Sequence, residues 1–133
     1  MQSYYNYLKQ PELLRKSKFL NSHEALKYGN IEPSTYIPYK DYQVQSLKPK
    51  DEQESKLFDL MAVWFTINEM NLYLDTHPKD PEAIELLMES IKKYDDLKVE
   101  YVLKYHPLCL TLGDYTKTPF VWLDKWPWEG DYK

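Results

Sequence analysis

A chain of 133 residues with 43% hydrophobic and 16% aromatic residues is long enough for one small domain, and its net charge of −4 with a single arginine, Arg15, argues against nucleic-acid binding. One cysteine, Cys109, excludes an intrachain disulfide and any multi-cysteine zinc or iron–sulfur centre. No run of about 18 apolar residues is present, so no membrane span is expected, and MQSYYNYLKQPELLRKSKF lacks the apolar core of a signal peptide, which points to synthesis in a cytoplasm.

Residues 1–50 read as irregular, because Pro11, Pro33, Pro38 and Pro49 bias the residues before them away from helix. Short helices fit Pro11 to Phe19 and Ser22 to Tyr28, the second with Ser22 as a cap and Gly29 in the left-handed position after its end. IEPSTYIPYKDY then reads as extended and presents Tyr36, Tyr39 and Tyr42. This arm holds 8 Lys+Arg against 4 Asp+Glu, so +4, whereas residues 51–133 hold 9 against 17, so −8. A basic arm on an acidic body suits contact with the body of a neighbour.

Residues 51–75 predict a long helix, free of Pro and Gly, with Asp51, Glu52 and Glu54 at the positive end of its dipole. Leu57, Leu60, Met61, Trp64, Ile67 and Leu74 form one apolar row, and Phe58, Ala62, Phe65 and Leu72 a second beside it. Residues 81–105 predict a partner helix, with Asp80 as N-cap and Pro81 at its first position; Pro107 stops it near Tyr105 or His106. Ala83, Leu87, Ile91, Tyr94, Tyr101 and Tyr105 mark its packing face. Two such helices joined by a short turn lie antiparallel. The expected fold is all-α, an antiparallel two-helix hairpin with an irregular N-terminal arm. The second apolar row needs a cover, and the aromatic tail TPFVWLDKWPWEGDYK is the expected one.

The connector NLYLDTHPKDPEA gathers Asp75, Thr76, His77 and Asp80. A metal-dependent accessory redox protein is the reading these residues offer if they act as ligands. The simpler reading makes Asp75, His77, Pro78, Asp80 and Pro81 a helix end, a stiffened turn and a capped helix start. No His-x-x-x-His or Glu-x-x-His spacing is present, Cys109 sits among apolar residues, and Gly29, Gly113 and Gly130 are too scattered for a phosphate loop. No catalytic residue, metal or cofactor is therefore assigned. The residue types point to association instead. The candidate partner-binding residues are Trp64, Phe65, Trp122, Trp126 and Trp128, with Tyr36 and Tyr39 of the arm.

NLYLDTHPKDPEA, followed by a polar helix, YHPL (105–108) and WPWEG (126–130), resembles the spore coat protein JB family, CotJB, over roughly residues 52–130. The family pattern carries Gly where this chain has His106, and the first 50 residues are an addition to it. Within that addition EALKYGNIEPSTYIPYK resembles the companion coat protein JA, on Gly29, Tyr36, Pro38 and Tyr39. The resemblance divides the chain into a JA-like extension (1–50) and a JB-like hairpin with a Trp-rich tail (51–133). It implies a non-enzymatic structural protein of the endospore coat, made in the mother-cell cytoplasm. The partners it implies are a manganese-catalase-like coat protein, JC, and a JA-type protein, with self-association as a further possibility.

Overall fold

The computed structural model describes residues 18–113 and 115–123. They form three α-helices, α1 (Ser22–Tyr28), α2 (Glu52–Thr76) and α3 (Pro81–Lys104), and three single 3-10 turns, Pro33–Thr35, Leu110–Leu112 and Val121–Leu123. No strand occurs among the described residues. The predicted helix from Pro11 lies almost wholly outside them.

Local chemistry sets each helix end. Asn21, not Ser22, caps α1, its side-chain oxygen accepting from the Glu24 amide at 3.0 Å. Asn and Ser serve almost equally as caps. Gly29 follows at φ 69°, where its amide returns to the Ala25 carbonyl; a Cβ there would be strained. Asp51 is the cap of α2 rather than a member of its first turn, accepting from Glu54 N at 2.8 Å. Glu52 and Glu54 remain beside the positive end of the dipole. Asp80 caps α3 and Pro81 opens it, since a first-turn residue needs no amide hydrogen.

The two long helices, of 25 and 24 residues, lie antiparallel. Lys104 meets Glu52 at 2.5 Å and Lys56 meets Glu100 at 2.8 Å near one end, and Tyr73 meets Asp80 at the other. Leu60, Val63, Ile67, Met70 and Leu74 recur in steps of three and four; so do Ala83, Leu87, Ser90, Tyr94, Leu97 and Tyr101. That alternation is the signature of side chains interlocking along a seam. Leu60, Val63, Met70, Ala83, Ser90 and Tyr101 are buried in it. The exposed ion pairs contribute little beside this apolar burial.

A third layer covers one side of the hairpin, and the N-terminal half supplies it. Phe19, Leu20, Ala25 and Ile31 are buried in one cluster with Met70 and Ala83, flanked by Tyr28, Phe65, Tyr73 and Leu86. Leu20 N donates to the Ile31 carbonyl at 2.9 Å, closing the chain around α1. The aromatic tail is the expected cover for the second row of α2; residues 19–31 cover Phe65 of that row, and residues 124–133 of the tail lie outside the described residues. Leu72 of the same row stays exposed. Trp126 and Trp128 lie outside the described residues.

One polar pin joins the layers. Thr66, 1% exposed, lies 2.9 Å from Ser22 Oγ and donates to the Ala62 carbonyl at 3.1 Å. Thr66→Val keeps the volume but leaves the Ser22 hydroxyl without this partner. We expect it to lower the unfolding free energy by about 1 kcal/mol in urea titrations. An unchanged midpoint would mean that water replaces the pin.

Candidate partner-binding surface

The connector is a lock for the hairpin angle. Tyr73, in the last turn of α2, donates its hydroxyl to Asp80 Oδ2 at 2.9 Å. The other oxygen, Oδ1, accepts the Glu82 and Ala83 amides at 3.2 and 3.4 Å. Lys18 pairs with Oδ2, and its ammonium lies 5.1 Å and 5.5 Å from the Phe19 and Tyr73 ring centres. Phe19 meets the Tyr73 ring edge-on at 5.0 Å. One carboxylate thus caps α3, holds the end of α2 and anchors the start of the third layer. His77 stacks on Tyr73 with ring centres 4.2 Å apart and planes 8° apart, and its Nδ1 lies 2.9 Å from Thr76 Oγ1. Asp75 and Pro78 are exposed. No group of three or more His, Cys, Asp or Glu side chains suited to a metal occurs among the described residues.

The Lys18 ammonium, the Tyr73 hydroxyl and the Ala83 amide hold the Asp80 carboxyl down at about 2, against the opposing effect of desolvation. A depressed carboxylate contributes stability that is complete above its unfolded value near 4 and is lost as pH falls through about 2. Asp80→Asn retains a capping oxygen but loses the charge. The melting temperatures of Asp80→Asn and the parent chain should therefore differ at pH 7 and converge between pH 4 and pH 2. Asp80→Ala, which also removes the cap, should melt roughly 5–10 °C lower at pH 7. A gap between Asp80→Asn and the parent that persists unchanged at pH 2 would refute the role of the charge.

Three contacts define the covered side of α2: Asp59 to His23 at 3.0 Å, Thr66 to Ser22, and Tyr73 to Phe19. Helical spacing turns Met61, Trp64 and Leu72 to the reverse side. On α3 the same reasoning groups Ile84, Met88 and Ile91, opposite Leu86 and Glu89, which line a groove with Leu20 and Ser22. All six reverse-side residues are exposed, Trp64 by 51%, Leu72 by 62% and Met88 by 61%. The Trp64 and Tyr94 rings, 5.0 Å apart, bridge the two helices, and Lys98 lies 5.1 Å over Tyr94 while pairing with Asp95 at 2.9 Å. The hairpin thus exposes a strip of apolar side chains on this side of both helices, with the Trp64–Tyr94 pair between them. Exposed apolar groups of this kind mark contact surfaces.

Of the residues nominated from the sequence, those among the described residues are not brought together in one place. Trp64 is part of the strip, but its neighbour Phe65 is half-buried on the covered side. Tyr36 is half-buried with its ring 5.4 Å from Tyr28, while Tyr39 is exposed in the loop that follows. Trp122 is half-buried on the turn Val121–Leu123. Sequence reasoning misses Ile84 and Met88 as candidate contacts; their spacing with Ile91, four and then three, is a signal for a second apolar row on α3. At the end of α3, His106 Nε2 lies 3.4 Å from the Tyr101 hydroxyl and Pro107 is buried.

A protein-family model described as CotJB protein matches residues 54–129. That range holds α2 from its third residue, the connector, α3 and the segment that follows. No curated protein and no solved structure matches the chain.

Proposed function

The chain belongs to the CotJB family, and from that premise we propose that it is a structural assembly protein of the endospore coat, whose open strip on α2 and α3 holds other coat proteins. Family membership makes it a spore-coat-related protein with a place in the coat. The finer reading adds the adaptor role, non-enzymatic, with synthesis in the mother-cell cytoplasm. It also names the manganese-catalase-like coat protein and a JA-type protein as partners. The observation that carries it is the strip itself, which stays exposed on a hairpin whose other side is already covered by residues 19–31. A scaffold locked at its turn by Asp80 presents that strip as a rigid surface. The JA-like stretch then serves the hairpin twice, as its third layer and as an exposed loop. The metal-dependent alternative draws no support from the connector, where Asp80 is bonded to Tyr73 and His77 stacks on Tyr73 beside Thr76. Co-purification from sporulating cells tests the reading. Coat partners should accompany the parent chain and be lost from a Trp64→Asp, Met88→Asp chain; full retention by that double variant would overturn it.

A further inference from the structure

A second exposed apolar group lies in residues 37–42. Ile37 is 82% exposed, Tyr39 73% and Tyr42 61%. Tyr42 N donates to the Tyr39 carbonyl at 3.0 Å, and Lys40 sits at φ 51° with its ammonium 5.0 Å from the Tyr39 ring. The loop therefore has a defined turn that holds its side chains outward. Both of its ends are tied to the covered side of the hairpin. Tyr36 packs on Tyr28 of α1, and Leu47 and Pro49 line a cavity with His23, Lys27 and Phe58. The strip of Trp64 and Met88 faces the other way, with the thickness of α2 between. The strip stays exposed and is not covered by the loop of its own chain.

We propose that the 37–42 loop of one copy of this chain docks on the open strip of α2 and α3 of a second copy. This rests on the reading of that strip as an association surface. Charge favours the match. Residues 1–50 carry +4 and residues 51–133 carry −8. Locally, Lys40, Lys48 and Lys50 outweigh Asp41 around the loop. Tyr39 and Ile37 supply the apolar anchors and the Trp64–Tyr94 pair the seat. Because loop and strip lie on opposite sides, the contact is heterologous: a pair still offers one free loop and one free strip. Such a contact does not close on itself and builds an open-ended assembly, which is the form a surface layer requires.

Sedimentation velocity of the full chain tests this over a range of concentrations. The parent chain should form species beyond a dimer that grow with concentration and shrink in high salt. A loop variant, Ile37→Asp with Tyr39→Ala, and a strip variant, Trp64→Asp with Met88→Asp, should each associate on the order of 30-fold more weakly or weaker still. Mixed in equal amounts they should form a one-to-one pair that grows no further, because one intact loop and one intact strip remain. Helical circular dichroism verifies that both variants fold, and Tyr39→Ala and Trp64→Ala provide milder versions of each. A parent chain that stays monomeric, or variants that fail to pair when mixed, overturns the proposal. Should the loop variant assemble like the parent while the strip variant does not, the loop is removed as the occupant and the strip survives as an association surface.

Discussion

Met70→Ala will lower the unfolding free energy by about 3 kcal/mol, within the range of roughly 2–5 kcal/mol for truncations in a packed core. Met70 has no exposed surface, and its cluster joins Phe19, Leu20, Ala25 and Ile31 of the third layer to Ala83 of α3. Every neighbour belongs to an element held elsewhere by a cap or a hydrogen bond, so the site has little freedom to collapse around the lost atoms. Against a total of roughly 5–15 kcal/mol for a domain of this size, the loss is a large share of the whole. Urea titration gives the value directly, and Met61→Ala on the same helix is the control. Met61 is exposed, so its truncation should cost less than about 0.5 kcal/mol. Equal losses at the two positions would refute the assignment of the seam.

Trp64→Asp with Met88→Asp should do the reverse, leaving the fold intact and removing association. Both side chains are more than half exposed, so carboxylates there keep their hydration. Within the chain the substitution removes the packing of the Trp64 ring on Tyr94, worth about 1 kcal/mol. The melting temperature should fall by only a few degrees. In a complex the same carboxylates would be desolvated against an apolar partner, and capture of coat proteins should weaken on the order of 30-fold or more. Loss of helicity in this variant would mean that the strip is part of the hairpin's own core.

The helix ends were legible because their causes are local. Asp80 and Pro81 are adjacent to the helix they start, and Gly29 directly follows the one it ends. The facing of α2 was not legible. Apolar residues occur all round that helix, so the expected packing row holds Met61 and Trp64, which are exposed, and omits Val63 and Met70, which are buried. What decides between them is the partner on the far side, and the Thr66–Ser22 contact spans 44 residues. Thr66 itself gave no apolar signal. Lys18 reaches Asp80 across 62 residues, a link that no local pattern announces. The stack of His77 on Tyr73 is different, because a four-residue step puts two rings on one helical face. That spacing gives the one histidine of the connector its place. Phe19, Leu20, Ala25 and Ile31 share a core with Met70 and Ala83, a packing that no local pattern announces.

The central claim is that the open strip of α2 and α3 is the surface by which this protein is built into the coat. Photo-crosslinking in intact spores tests it most directly, with a benzophenone side chain placed either at Met88 in the strip or at Lys27 on α1. The account predicts covalent adducts with coat proteins from position 88 and far fewer from position 27. Adducts from position 27 with none from position 88 would contradict it.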